Sequence, residues 1–146
     1  MKKMNQTNVE DFIVQLKEQN RVQKNNQELK ALVIDDEENV AKSIGRVFSN
    51  KGIKVLLAHN GFSAGMILSN EKPKIVTLDL KMEQLSGQDV LKIIAALNLN
   101  EKIWVIVISG ETEEHLIKAV NSGADFYLKK PFSKDDLEKI IDKLAS

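Results

Sequence analysis

The chain has 146 residues, with 21 lysines and arginines against 21 aspartates and glutamates, and it contains no cysteine. This length is typical of one domain with a sizeable core, and the lack of thiols excludes a disulfide scaffold, a thiolate metal site and a thiol nucleophile. The balanced charge argues against a surface built for nucleic acid or an anionic membrane. Since no apolar run is long enough to span a bilayer and no secretory signal pattern is present, we predict a cytoplasmic protein.

Residues 1–28 differ in composition from the rest of the chain. They are polar, apart from one apolar cluster with helical spacing. The members of that cluster are Val9, Phe12, Ile13 and Leu16. Thr7, with Glu10 three residues later, matches the pattern of a capping box. We predict a short amphipathic helix followed by a polar linker from about Gln19 to Glu28, serving as a tail or, alternatively, docking on the main domain or on a second subunit.

From residue 29 to residue 146 the pattern is regular, because short apolar runs alternate five times with helical patterns. The predicted strands are Ala31–Ile34, Ile53–Ala58, Ile75–Leu78, Ile103–Ile108 and Phe126–Leu128. The apolar positions of the predicted helices fall in Val40–Phe48, Phe62–Leu68, Val90–Leu97, Leu116–Val120 and Leu137–Leu144. This alternation predicts an α/β domain with a parallel sheet and right-handed crossovers. The first, third and fourth strands are nearly all apolar, which is typical of a sheet with helices on both faces.

Polar residues follow four of the five predicted strands. Acids at 35–38 follow strand one, Asp79 follows strand three, Ser109 follows strand four, and Lys130 follows strand five. All but Asp79 have an ordinary structural interpretation, as a helix cap, a turn residue or a solvated charge. Asp79 lacks one, because the segment after it does not match the start of a helix. In open parallel sheets, however, ligands bind outside the carboxyl ends of the strands. Four such ends together indicate a functional site.

The residue types at these strand ends suggest phosphoryl chemistry. Crowded carboxylates repel one another unless they are protonated or neutralised by a cation. Without thiols or clustered histidines, the natural cation is Mg²⁺, which binds carboxylate, water and phosphate oxygens. We therefore predict a site for phosphoryl transfer to a carboxylate, with Asp79 as the nucleophile and with Mg²⁺ and Lys130 neutralising charge. The sequence contains no Walker-type glycine loop, so it does not indicate direct nucleotide binding.

These residues resemble the receiver domains of two-component response regulators, of the chemotaxis type, over about Leu29 to Leu144. The matching motifs are the acidic pair Asp35 and Asp36, the phosphoacceptor Asp79 with Gly87 downstream, Ser109 followed by the small Gly110, the switch aromatic Tyr127, and Lys130–Pro131. The resemblance implies that the Lys130–Pro131 peptide bond is cis. The resemblance implies a flavodoxin-like sheet in the order 2-1-3-4-5.

The resemblance also implies a mechanism. Asp79 would accept a phosphoryl group from a histidine kinase or phosphotransfer protein, and Ser109 and Tyr127 would act as switch residues. The implied Mg²⁺ ligands are Asp35, Asp36, Asp79 and the backbone carbonyl of Lys81. The face of the fourth helix, fifth strand and fifth helix would bind a downstream protein target. Beyond its own phosphorylation and dephosphorylation the domain would have no enzymatic activity, and neither nucleic acid nor membrane is an expected direct partner.

Three positions are of special interest when the chain is compared with the family. Lys81 and Glu111 stand at positions that tune the lifetime of the phosphoryl group, and we hypothesise that they form an ion pair across the site and slow dephosphorylation. Ile140 replaces an arginine that one receiver class uses for dimer pairing, which argues against that dimer and leaves other homodimers open.

Three alternatives remain at this level. A haloacid-dehalogenase-like phosphatase would place its nucleophile after strand one in an Asp-x-Asp motif, which Asp79 and Lys81 do not match. A flavodoxin-like cofactor binder would place phosphate beside the acids at 35–38, which would repel it. The chain could also be the receiver of a larger hybrid kinase or response regulator, rather than a stand-alone receiver without an output domain.

Overall fold

The computed structural model describes residues 9–14, 28–97 and 101–145. Its core is a five-stranded parallel sheet in the order β2-β1-β3-β4-β5. The strands are β1 (Lys30–Ile34), β2 (Lys54–Ala58), β3 (Ile75–Leu78), β4 (Trp104–Ser109) and β5 (Phe126–Lys129). The helices are α1 (Glu38–Ser49), α2 (Gly61–Glu71), α3 (Gly87–Ala96), α4 (Glu113–Asn121) and α5 (Lys134–Ala145). The predicted fold class and strand order are confirmed.

Helices cover both faces of the sheet because successive side chains of the central strands point to opposite sides. On one face, Leu32, Val76 and Val107 pack with buried residues of α2, α3 and α4. On the other face, Val33 and Ile106 pack with buried residues of α1 and α5. All four residues of β3 are buried, so the predicted central position of this strand is also confirmed. The sheet is therefore a rigid platform for the loops at its carboxyl edge.

All five helices begin one to three residues earlier than their apolar pattern indicates. Helix α3 begins at Gly87, after a capping box in which the Ser86 hydroxyl accepts the Asp89 N–H and the Asp89 carboxylate accepts the Ser86 N–H. Helix α4 begins at Glu113, with Thr112 as its capping side chain. Apolar spacing marks only the buried face of a helix, whereas the first turn here is polar and stabilised by caps.

The N-terminal helical segment, residues 9–14, lies within the region for which an amphipathic helix is predicted. Its apolar side chains are exposed, at 41% for Val9, 47% for Phe12 and 46% for Ile13. Thr7 and Leu16 of the predicted helix, and most of the predicted linker, lie outside the described residues. Among the helices of the described ranges, none has the length and apolar character needed to cross a membrane.

Thr77 is an unusual core residue, since it is 1% exposed and its hydroxyl has no hydrogen-bond partner among the described residues. It lies on β3 between Val33 of β1 and Ile106 of β4. An unpaired buried hydroxyl is unfavourable because it loses its hydrogen bonds to water on folding.

We expect Thr77→Val to raise the free energy of unfolding by about 1 kcal/mol, because valine keeps the shape and removes the unpaired hydroxyl. Chemical denaturation measures the change. The matched control is Thr112→Val, which should lower stability by about 1 kcal/mol because it removes the cap of α4. A loss of stability at Thr77 would show that its hydroxyl is paired in solution.

Candidate functional site

The strand register brings the four polar strand ends to one edge of the sheet. Ile34 of β1 pairs with Leu78 of β3, so the residues that follow them, Asp35 and Asp79, are neighbours. Backbone bonds continue beyond the strands, since the Asp79 N–H donates to the Ile34 carbonyl at 3.0 Å. Ser109 pairs with the last residue of β5, and its carbonyl accepts the N–H of Lys130 at 2.9 Å. Backbone hydrogen bonds thus fix the positions of the Cα atoms that carry these side chains.

Asp35 is the most deeply buried acid of the site, at 1% exposure. Its Oδ1 accepts the Glu37 N–H at 2.9 Å, and its Oδ2 accepts from Lys130 Nζ at 2.8 Å. Burial raises the pKa of Asp35 above its ordinary value, although the hydrogen bonds from Lys130 and Glu37 act in the opposite direction. The ionised carboxylate is therefore costly here, and further positive charge would stabilise it.

The Asp79 carboxylate is held at both oxygens and still borders open space. Oδ1 accepts the Lys81 N–H at 3.2 Å, and Oδ2 lies 3.3 Å from Lys130 Nζ. The residue is 5% exposed, yet it lines a cleft of about 630 Å³ together with Lys81, Gly110 and Glu111. A nucleophilic carboxylate needs this combination of fixed orientation and access from one side.

Lys130 links the two buried acids, because its ammonium contacts both Asp35 and Asp79. Burial acts to lower the pKa of Lys130, but the hydrogen bond to Asp35 and the charges of both carboxylates outweigh it and raise the pKa. The side chain therefore stays cationic. The Lys130–Pro131 peptide bond is cis, as the resemblance implied.

The acidic cluster fits a divalent cation. One carboxylate oxygen from each of Asp35, Asp36 and Asp79 lies within 4.8 Å of the others. These are hard oxygen donors of the kind that Mg²⁺ prefers. Lys130 compensates one of the three carboxylates, and a divalent ion would compensate the other two. The contribution of the Lys81 carbonyl stays a prediction.

The two switch candidates differ in exposure. Ser109 is fully buried, and its hydroxyl accepts the Glu111 N–H at 3.3 Å. Tyr127 is 37% exposed, and its hydroxyl donates to Glu113 Oε1, on the first turn of α4, at 3.4 Å. The tyrosine side chain therefore lies at the surface in this structure. The switching roles of both residues stay predictions.

The hypothesised ion pair between Lys81 and Glu111 is wrong for this structure. No salt bridge joins them within the described residues, although both line the cleft. Glu111 Oε2 instead lies 3.3 Å from Nδ1 of His115, four residues along the chain. A partner four residues along the chain is within reach at the start of a helix. This contact is not predicted from the sequence, because the apolar pattern of α4 indicates only that His115 is exposed.

Gly87 has a steric role that its spacing from Asp79 does not reveal. A Cβ at this position would lie 2.5 Å from the Asp79 carbonyl oxygen and 2.6 Å from Leu80 Cα. The Gly87 N–H also donates to the Leu80 carbonyl at 3.1 Å. Helix α3 thus begins in direct contact with the backbone that carries Asp79, and only glycine permits this approach.

We expect Asp35→Asn to raise the free energy of unfolding at neutral pH without Mg²⁺, on the order of 1 kcal/mol, because it removes a buried, repelled charge. Burial raises the pKa of Asp35 in the folded protein. The folded state therefore loses stability as the pH rises through that raised pKa and the carboxyl group ionises. The gain should therefore vanish well below the ordinary carboxyl pKa. Chemical denaturation across pH measures both effects.

The same measurement with Mg²⁺ provides the control. The ion should stabilise wild type but neither Asp35→Asn nor Asp36→Asn. Because Asp36 is exposed, Asp36→Asn should change stability without Mg²⁺ by less than about 0.5 kcal/mol. An Asp35→Asn variant less stable than wild type at neutral pH would contradict the account.

We expect Gly87→Ala to lower the free energy of unfolding by about 1–3 kcal/mol, because the new methyl group overlaps the backbone of residues 79 and 80. Gly110→Ala is the matched control. A Cβ there meets nothing within 4 Å, so stability should change by less than about 0.5 kcal/mol. Equal effects at the two positions would refute the steric role of Gly87.

Comparison with known proteins identifies the family of this domain. A model of the response regulator receiver domain family matches residues 31–142. The structure is similar to a response regulator receiver domain from Bermanella marisrubri, with a TM-score of 0.75, 40% identity, and coverage of 82% of this chain and 100% of that chain. It is also similar to the receiver domain of the Francisella response regulator 1452, with a TM-score of 0.72, 33% identity, and coverage of 80% and 95%.

Curated relatives are longer. Response regulator SaeR from Staphylococcus aureus is 35% identical over 116 residues, covering 79% of this chain and 50% of SaeR. Response regulator MprA from Mycobacterium avium is 31% identical over 109 residues, covering 75% of this chain and 47% of MprA. The chain thus spans about half the length of these relatives. The family match covers most of the regular fold, and the chain belongs to the response regulator receiver domain family.

Proposed function

We propose that Asp79 is the phosphoacceptor of this receiver, and that a histidine kinase or phosphotransfer protein is the donor. The observation that carries the proposal is the Asp79 carboxylate, oriented by the Lys81 N–H and by Lys130 and bordering an open cleft. A free oxygen lone pair of this carboxylate attacks the phosphorus of a phosphohistidine. The new O–P bond gives an acyl phosphate, the N–P bond breaks, and the departing imidazole takes up a proton.

The charged neighbours have distinct proposed roles in this transfer. Asp35, Asp36 and Asp79 would hold Mg²⁺, and the bound ion would neutralise negative charge on the phosphoryl oxygens. Lys130 supplies a second positive charge and already contacts Asp79 in the unphosphorylated protein. Self-catalysed phosphorylation and autodephosphorylation are the only reactions that we propose for the domain.

We also propose that Ser109 and Tyr127 transmit the phosphorylation state. The Ser109 hydroxyl, at the end of β4, would donate to a phosphoryl oxygen on Asp79, and Tyr127 would turn inward as α4 shifts. The output surface is then the face of α4, β5 and α5, on which Ile117 is 47% and Tyr127 37% exposed. A downstream protein that binds only one conformation of this face would shift the equilibrium between the two.

The role of Lys81 and Glu111 in phosphoryl lifetime remains part of the proposal. Both side chains border the cleft, so each can influence how water reaches a phosphoryl group on Asp79. Since they form no ion pair, we expect their contributions to be independent of each other.

The test is intact-mass analysis after incubation with acetyl phosphate and Mg²⁺. We expect one phosphoryl adduct on wild type and none on Asp79→Asn or after chelation of the metal. Asp142→Asn is the matched control, because this aspartate lies on α5, where it pairs with Lys51 away from the cleft, and it should be phosphorylated normally. An adduct that persists in Asp79→Asn would place the phosphoryl group on another residue and overturn the proposal. No adduct on wild type, from small donors or from any cognate kinase, would favour a phosphorylation-independent scaffold.

A further inference from the structure

A shallow groove of about 420 Å³ lies between α2 and α3, and none of its lining residues is among those proposed to act on the phosphoryl group. One wall is a stripe of α2 in which Phe62, Gly65, Met66 and Ser69 recur at helical spacing. The opposite wall includes Ile93 of α3. None of the residues that line the groove carries a charge. The surface therefore suits an apolar partner.

The composition of this stripe is unusual for a solvated helix face. Met66 is 68% and Phe62 is 61% exposed, the two highest values among the exposed large apolar residues of the described ranges. Between them, a Cβ at Gly65 would meet nothing within 4 Å. Glycine inside a helix lowers stability by about 1 kcal/mol relative to alanine. Since there is room for a side chain at position 65, packing within the domain does not explain the glycine. The missing side chain leaves a depression flanked by two apolar side chains.

The chain carries an apolar segment of matching type. In the N-terminal helical segment, Val9, Phe12 and Ile13 form one helical stripe, and each is exposed. At 100° per residue, Val14 falls outside this stripe. We propose that the groove between α2 and α3 is the docking site of this segment from the same chain.

The connection makes this intramolecular docking geometrically easy. Residues 15–27 separate the helical segment from the domain, and thirteen residues can span roughly 40 Å when extended. The chain joins the domain at the start of β1, where Lys30 Nζ lies 3.0 Å from Glu71 Oε2 at the end of α2. Because α2 is only about 16 Å long, the whole groove lies within reach. A short tether gives an effective concentration of about millimolar, which favours the chain's own segment over that of a second copy.

The absence of cysteine allows a direct test. Val14→Cys introduces a single thiol for a nitroxide label, and NMR of the ¹⁵N-labelled full chain reports which backbone amides the label broadens. We expect reversible broadening at residues 61–70 and around Ile93, and none on α5. Broadening confined to other surfaces, or no broadening of the domain, would overturn the proposal.

Three further samples test the docking surface and identify its occupant. Phe62→Ser with Met66→Ser should abolish the broadening, and both positions are exposed, so the fold should tolerate the change. Ile117→Ser on α4, which alters another exposed apolar residue, is the matched control and should leave the broadening intact. Finally, spin-labelled unenriched protein is mixed with unlabelled ¹⁵N protein. Broadening in this mixture at the level seen within one chain would show that a second copy docks and would overturn the intramolecular proposal.

Discussion

Repulsion among three carboxylates at one sheet edge is the constraint on which the rest of this site depends. Parallel pairing of β1 with β3 makes Asp35 and Asp79 neighbours, and Asp36 is the next residue after Asp35. Such an arrangement is unfavourable without cations. Lys130 supplies one of them from within the protein, while the remaining negative charge is what would draw a divalent ion. The domain thus gives up stability at this edge, as proteins often do at sites that bind or react.

The backbone around these acids limits how far they can move in response to repulsion. The N–H groups of Glu37 and Lys81 each hold one carboxylate oxygen. Behind Asp79, the start of α3 lies against the chain at Gly87. Side chains that would separate if free are therefore held in place by main-chain atoms. Preorganisation of this kind lowers the cost of orienting groups during reaction.

Sequence alone predicts the features that follow from strand direction. Once the strands alternate with helices, the carboxyl ends must share an edge, so the pattern is enough to group Asp35, Asp79, Ser109 and Lys130 at one site. Contacts that depend on side-chain reach cannot be predicted in this way. Glu111 turns to His115 because the start of a helix offers a partner four residues away, and apolar spacing gives no sign that Phe62 and Met66 lie on the outside of α2.

Helix α2 also contacts the loop that leads from β3 to α3. A Cβ on Gly61 would lie 2.5 Å from Leu85 Cβ, so the first turn of α2 is pressed against this loop, which also contains Lys81 and Met82. The groove and the acidic cleft therefore share the loop from β3 to α3. A shift of this loop would change the shape of both. Thermodynamic linkage makes any such coupling reciprocal. An occupant of the groove that favours one loop position would change the affinity of the cleft for its ligand. That ligand would change the affinity of the groove for its occupant by the same factor.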